Sequence, residues 1–159
     1  MTLLVPMSPE VHAEVLSASI ADYACDNVTA GRWPAVGALE RARSEILALL
    51  PQGLATPDHH LLEIRASADG TRVGHLWFAI ESRHGQRAAF VFDLAIRPPH
   101  RRQGHARRAL VALETLAREL GAQSMGLHVF AFNESALALY RGLGWRVTSL
   151  NMIKPLAPS

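Results

Sequence analysis

A chain of 159 residues is long enough for one domain whose core buries about two-thirds of the unfolded surface. The formal net charge is only +2 and aromatic residues make up 6%, which argues against a nucleic-acid binder with a broad basic face and interleaved aromatic side chains. No apolar run approaches the roughly 20 residues that cross a bilayer, the N-terminus lacks a basic leader, and the lone Cys25 fits a reducing compartment. We therefore expect a single domain over residues 1–159 that is cytoplasmic and binds neither nucleic acid nor membrane.

The first third of the chain predicts a short strand followed by two helices. Residues 3–5 form the strand, and Ser8-Pro9-Glu10 is a helix-start signal with proline at the first helical position. The first helix extends to about residue 28, where the stretch 31–34 interrupts the pattern, and the second covers about residues 36–50. Pro51 and Gly53 end it.

Three strands are predicted next, over residues 61–66, 71–80 and 88–96. Asp69-Gly70 is a strong hairpin signal because glycine accepts the positive φ of a tight primed turn. Residues 82–86 join the second and third strands. By the two-residue period of a strand, Phe92 and Asp93 are expected on opposite faces.

A basic loop follows the third strand and leads into a helix. Pro98 and Pro99 stop the apolar run, and five arginines lie between Arg97 and Arg108. The first N–H groups of a helix have no intrahelical acceptor and lie at the positive end of its dipole, so this turn predicts a pyrophosphate cradle. The Walker and dinucleotide patterns are absent. The alternative is an arginine-rich, solvated helix start.

The last third predicts a strand over residues 123–130, a short helix capped by Asn133, and a final strand over residues 147–153. The order β, α, α, β, β, β, α, β, α, β indicates an α/β (α+β) fold in which a mixed, mostly antiparallel sheet carries helices on both faces.

Two motifs in this order resemble the coenzyme-binding segments of the GCN5-related N-acetyltransferase (GNAT) superfamily. The first is Arg101-x-x-Gly104-x-Ala106 after the strand end Ile96-x-Pro98, and the second runs from Asn133 through Tyr140 to Gly144-Trp145. Other stretches, such as Gly74-His75-Leu76-Trp77, resemble an uncharacterised bacterial branch of the superfamily. The resemblance is strongest over residues 90–156.

The resemblance implies an acetyl-CoA-dependent N-acetyltransferase that acts on a primary amine of a small molecule or protein, by direct attack through a tetrahedral intermediate. It places a coenzyme-binding core at about residues 88–156 and acceptor-side helices at about residues 8–50. Tyr140 is implied as the general acid, and Asn133 as a partner of the pantetheine arm. The coenzyme site would further comprise backbone groups of Leu94, Ala95 and Ile96 at the thioester, and the cradle residues Arg101, Arg102, Gln103, Gly104, His105 and Ala106.

The general base stays open. Some family members have a glutamate where this chain has Phe92, so we consider Asp93 instead, with Glu81, His75 and His128 as further options. Residues expected on the acceptor side are Tyr23, Trp33, His59, His60 and His75. The histidines show no clustering that predicts a metal site, and the resemblance leaves a homodimer open. The alternative functions are a catalytically silent acyl-CoA-binding module and, ranked last, a nucleic-acid-binding regulator.

Overall fold

The computed structural model describes residues 2–158, which form one five-stranded sheet in the order β1-β2-β3-β4-β5. The first four strands pair antiparallel, and β5 pairs parallel to β4. The strands are β1 (Thr2–Pro6), β2 (His59–Ala66), β3 (Arg72–Arg83), β4 (Gln86–Ile96) and β5 (Ser124–Leu127). The helices are α1 (Pro9–Thr29), α2 (Ala38–Leu49), α3 (His105–Glu119) and α4 (Glu134–Gly142), with 3₁₀ turns at Gly53–Ala55 and Pro98–His100.

Each face of the sheet has its own apolar cluster. Phe78 and Leu76 of β3 are fully buried and share one cluster with Leu110 and Leu113 of α3. Trp77, between them in sequence, belongs to the cluster formed by α1 and α2 on the other face. The side chains of β3 therefore alternate between two faces, and helices cover each face. This arrangement confirms the predicted mixed, mostly antiparallel α/β fold.

The β3–β4 connection is tighter than predicted. His84 and Gly85 are its two central residues, and both have positive φ, 52° and 78°. Two residues of positive φ form the primed turn that matches the twist of a hairpin. The strands therefore extend to Arg83 and begin again at Gln86, where the sequence predicted a loop over residues 82–86.

The C-terminal part departs furthest from prediction. The prediction of a strand over residues 147–153 is wrong, since residues 145–158 have no regular structure. The strand β5 also ends earlier than predicted, at Leu127 rather than at residue 130. A strand needs a neighbour to accept its backbone hydrogen bonds, and none lies beside this segment among the described residues. None of the helices in residues 2–158 combines the length and apolarity needed to cross a bilayer.

Candidate active site

The predicted cradle forms the turn between β4 and α3. Gly104 precedes α3 with φ 81°, and no side chain caps the helix. The first intrahelical bond runs from Arg108 N–H to the Gly104 carbonyl at 3.1 Å, so the N–H groups of residues 105–107 have no helical acceptor. The geometry supplies the donors and dipole that an anion requires.

Side chains around the cradle fix its shape. Arg101 Nε donates to the Ile96 carbonyl at 2.9 Å, and Arg108 Nη2 donates to the Gln103 carbonyl at 2.9 Å. A Cβ at Gly104 would lie 2.6 Å from the Arg108 guanidinium. Because the guanidinium is the end of a flexible side chain and can move aside, the turn requires glycine at this position mainly for its positive φ.

The predicted cradle residues divide into two kinds. Arg101, Arg102 and Gln103 are exposed, whereas His105 is buried and its Nδ1 lies 3.4 Å from Thr2 Oγ1. His105 therefore offers the cradle its backbone N–H rather than its imidazole. Burial is the main cause of its lowered pKa, followed by the charge of Arg108.

An opening between β4 and β5 lies beside the cradle. The two strands pair only over Ala88–Val91 and Ser124–Leu127, while β4 continues to Ile96. The rest of that β4 edge, which includes Leu94, Ala95 and Ile96, has no ladder to β5. A cavity of about 700 Å³ occupies the opening and extends to α1 and α2.

A bulge in β4 determines which side chains of this strand face the cavity. Trp77 pairs with Asp93 and Phe78 pairs with Val91, so Phe92 is an extra residue. Phe92 stacks on Trp77 with ring centroids 4.8 Å apart, and Asp93 binds Ser19 of α1. The prediction that Phe92 and Asp93 face opposite sides is therefore wrong, because the bulge breaks the two-residue period.

Asp93 lies at the centre of a polar cluster. Ser19 Oγ donates to Asp93 Oδ2 at 2.5 Å, and His75 Nε2 lies 2.8 Å from the same oxygen. The side chains of Asp93 and His75 are 26% and 14% exposed. Asp93 lines the cavity, and among the described residues its Oδ1 receives no hydrogen bond. Sequence reasoning missed Ser19, since a serine within a helix gives no signal of its partner.

Tyr140 and Asn133 line the same cavity. Asn133 caps α4 by accepting the Ala136 N–H at 3.3 Å, as its position predicted. Burial, and then the charge of Asp93, raise the pKa of Tyr140 above its ordinary value. Tyr140 therefore keeps its proton at neutral pH.

Carboxylates of α1 and α2 line the opposite side. Asp22 and Asp26 are one turn apart on α1, and Glu45 of α2 accepts a hydrogen bond from Tyr23 at 2.9 Å. Burial, and then the charges of Asp22 and Asp93, raise the pKa of Asp26. Two unpaired like charges at this spacing cost helix stability. Among the described residues, Arg32 is the only arginine or lysine that lines this cavity.

Other predicted acceptor-side residues lie outside the lining. Trp33 is buried, with its ring edge-on to Tyr23 at 5.2 Å. His59 accepts a hydrogen bond from Trp77 Nε1 at 3.0 Å, and His60 stacks on Phe78 at 4.8 Å. Of the other base candidates, His128 lines the cavity, whereas Glu81 binds Arg83 at 2.7 Å near the surface. Residues 2–158 contain no group of three or more side chains placed to hold a metal ion.

Comparison with known proteins places this architecture in a family. The model of the acetyltransferase (GNAT) family matches residues 28–145. The uncharacterised N-acetyltransferase YycN of Bacillus subtilis is 37% identical over 154 residues, covering 97% of this chain and 98% of YycN. The uncharacterised N-acetyltransferase YdgE of the same organism is 35% identical over 138 residues, covering 87% of each chain.

Solved structures agree with the sequence matches. The crystal structure of YycN superposes with a TM-score of 0.94 at 36% identity, covering 99% of this chain and 100% of that one. An acetyl transferase from Pyrococcus furiosus shares the fold, with a TM-score of 0.71 at 22% identity and coverage of 98% and 100%. The fold is thus that of an acyl-transfer enzyme. The chain belongs to the GNAT family and is an N-acetyltransferase.

Proposed function

We propose that this enzyme transfers the acetyl group of acetyl-CoA to a primary amine bound between α1, α2 and the β4–β5 opening. The observation that carries the proposal is that Asp93 and Tyr140 line one cavity. A carboxylate and a phenol that keeps its proton are a base and an acid of the kind that acyl transfer to an amine requires. The family membership supports acetyl-CoA as the donor.

The residues present fit that coenzyme. The free N–H groups after Gly104, with Arg101 and Arg102 exposed beside them, suit its pyrophosphate. Backbone groups of Leu94, Ala95 and Ile96, on the unpaired β4 edge, suit its pantetheine arm and thioester carbonyl. When bound there, the coenzyme supplies an activated acetyl group.

Asp93 acts as the general base. An alkylammonium has a pKa of about 10.4 and must lose a proton before it can attack. Ser19 and His75 hold Oδ2, which leaves Oδ1 to accept that proton from the amine nitrogen. The two fixed bonds limit rotation of the carboxylate and so orient Oδ1.

Tyr140 acts as the general acid. Its raised pKa keeps the phenol protonated, and the hydroxyl donates that proton to the leaving sulfur as the carbon–sulfur bond breaks. The phenolate then takes the second proton, which the attacking nitrogen loses as it becomes the amide nitrogen, and Asp93 releases the first proton to solvent. The nearby charge of Asp93 contributes to the raised pKa, so the base must be ionised for the acid to hold its proton most firmly.

The acceptor is a positively charged amine. Asp22 and Asp26 of α1 line the same cavity as the base, and carboxylates raise the local concentration of cations in a cleft. The amine therefore arrives protonated and delivers its proton to Asp93.

A thiol-release screen of amines, polyamines, aminoglycosides, amino acids and peptides tests the proposal. Asp93→Asn keeps a polar group of the same size and should lower kcat by about 10²–10⁴-fold, while acetyl-CoA still raises the melting temperature. Asp69→Asn, on the exposed hairpin between β2 and β3, is the matched control and should leave kcat unchanged. Full activity of Asp93→Asn would reject the base. Stabilisation by acetyl-CoA with no thiol release from any amine would instead favour the catalytically silent coenzyme-binding module.

A further inference from the structure

The cavity of the candidate active site carries opposite charges that do not pair with one another. Among the described residues, one guanidinium, that of Arg32, lines it together with four carboxylates, which belong to Asp22, Asp26, Glu45 and Asp93. Within residues 2–158 the Arg32 side chain forms no ion pair. Its guanidinium carbon lies 6.0 Å from the centre of the Phe130 ring, at the outer limit of a cation–π contact. The guanidinium is therefore available to an anion in the cavity.

The backbone fixes the position of Arg32 directly after α1. Gly31 has φ 75°, and its N–H donates to the Val28 carbonyl at 3.0 Å. The Arg32 N–H donates to the Asn27 carbonyl, also at 3.0 Å. These two bonds form the Schellman motif, which ends a helix at a residue of positive φ. The next residue, Trp33, is buried in the cluster that α1 and α2 form. Arg32 therefore combines a fixed backbone with a free side chain.

The positive and negative groups act on different parts of the cavity. Burial, and then the charge of Arg32, lower the pKa of His128, so this imidazole is neutral at pH 7 and adds no second positive charge. The charge of Asp93, after burial and the charge of Asp22, raises the pKa of Asp26, so these carboxylates interact with one another. The cavity is thus negative around Asp93 and positive beside residues 128–130.

We propose that the acceptor is a small primary amine that also carries a carboxylate, as an amino acid does, and that Arg32 binds this carboxylate. The inference rests on the proposed function and narrows its substrate. The reacting nitrogen lies at Asp93, while the planar guanidinium offers two parallel N–H donors that match the two oxygens of a carboxylate. Arg32 thereby orients the amine and takes no part in bond making or breaking.

The balance of charges favours a carboxylate over a phosphate at Arg32. A phosphate monoester carries about two negative charges at neutral pH, and like charges within a binding site repel. One guanidinium neutralises a carboxylate fully, and the ammonium of the same molecule meets the carboxylates around Asp93. The cavity volume of about 700 Å³ is that of a site for small ligands.

Paired acceptors test the inference in the thiol-release assay. Each common amino acid, with ornithine and β-alanine, is compared with its own carboxamide. The amide has nearly the same size and one negative charge fewer, so the field of the four carboxylates alone would favour the amide. For the best acceptor we expect kcat/KM to be at least about 10-fold higher for the acid than for its amide.

Arg32→Gln should abolish this preference. The KM for the acid should rise at least about 10-fold, while the KM for the amide, the KM for acetyl-CoA and the melting temperature stay unaltered. Arg43→Gln is the matched control, because Arg43 lies on α2 outside the cavity lining and pairs with Glu40 at 3.6 Å. The control removes the same charge and should keep the preference for the acid.

The other outcomes separate this inference from the proposed function. Equal use of acid and amide by the parent, or a preference that survives in Arg32→Gln, would overturn the inference and leave the proposed function standing. A raised KM for acetyl-CoA in Arg32→Gln would assign the guanidinium to the coenzyme and overturn it as well. So would faster turnover of ethanolamine phosphate than of β-alanine, since it would place a phosphate at Arg32. Thiol release from no amine at all would reject the proposed function and the inference with it.

Discussion

Gly74 is the position where a single methyl group should damage both the sheet and the active site. It lies on β3 opposite Ile96, the last residue of β4. A Cβ built there would lie 2.2 Å from the Ala95 carbonyl oxygen and 3.0 Å from Ile96 Cδ1. The nearest atom belongs to the backbone, so no side-chain rotation can relieve the contact.

The expected loss of stability in Gly74→Ala follows from this distance. An ordinary carbon–oxygen contact needs about 3.3 Å or more, so Gly74→Ala must move β4 away from β3 by about 1 Å. Overpacking of a well-packed site costs about 1–3 kcal/mol, and the lower backbone entropy of alanine in the unfolded chain returns about 0.5–1 kcal/mol. Because the contact is with backbone, we take about 2–3 kcal/mol for the overpacking and expect a net loss of about 1–2.5 kcal/mol, which lowers the melting temperature of a chain of this size by roughly 2–10 °C.

The displacement should also affect coenzyme binding. Arg97 N–H donates to the Val73 carbonyl at 2.7 Å and ties the start of the cradle loop to β3 beside Gly74. A shift of β4 here moves the Ala95–Ile96 backbone and the cradle together. The KM for acetyl-CoA should therefore rise, and a misplacement of about 1 Å can cost about 100-fold in rate.

Differential scanning calorimetry and thiol-release kinetics measure the two effects. Gly126→Ala is the matched control, because Gly126 is also a strand glycine without positive φ and its Cβ would meet only the Phe90 side chain, at 3.4 Å. The control should stay within about 2 °C of the parent. If Gly74→Ala melts like Gly126→Ala with an unchanged KM, the close approach of β3 and β4 is not as described.

The remaining predictions concern the site. Tyr140→Phe should lower kcat about 100-fold with the dissociation constant for acetyl-CoA unchanged by calorimetry, and unchanged turnover would reject the acid role. Gly104→Val places a β-branched residue at φ 81° and should abolish the thermal shift by acetyl-CoA, whereas a normal shift would contradict the cradle. Ser19→Ala should lower kcat about 5–10-fold and be rescued by Ser19→Thr, with the KM for acetyl-CoA unaltered; loss of kcat in both variants would point to a packing effect. The pKa of His105 is lowered in the folded chain, so the unfolded chain binds the proton first as pH falls; stability is full above about pH 6.5 and declines as pH falls through the folded pKa. The urea midpoint should therefore drop less between pH 7.5 and 5.5 in His105→Gln than in the parent.

Local sequence patterns were sufficient to predict those parts of the fold that depend on residues close together in the sequence. Asn133 could be assigned as a helix cap because its partner, the Ala136 N–H, is three residues away. The glycine before α3 and the free donors after it follow in the same way from a strand, a turn and a helix start.

The polar cluster around Asp93 could not be predicted in this way. Ser19 and Asp93 are 74 residues apart in sequence, and they meet only because α1 packs on the face of the sheet to which the bulge directs Asp93. The bulge depends on the register of β4 against β3, and a one-residue shift in that register reverses the face of every following side chain. The final strand failed for a related reason, since its pattern indicates a strand but does not reveal whether a neighbouring strand lies within reach to accept its backbone hydrogen bonds.

Two interruptions of β4 coincide, and together they define the site. Pairing with β5 ends at Val91, and the extra residue in the pairing with β3 is Phe92. The first interruption opens the cavity, while the second turns the next side chain, Asp93, toward α1 at the edge of that space. A bulge after Asp93 would leave this residue opposite Leu76, with its side chain on the α3 face. The residue inserted before Asp93 therefore decides whether this sheet presents the Asp93 carboxylate to the cavity.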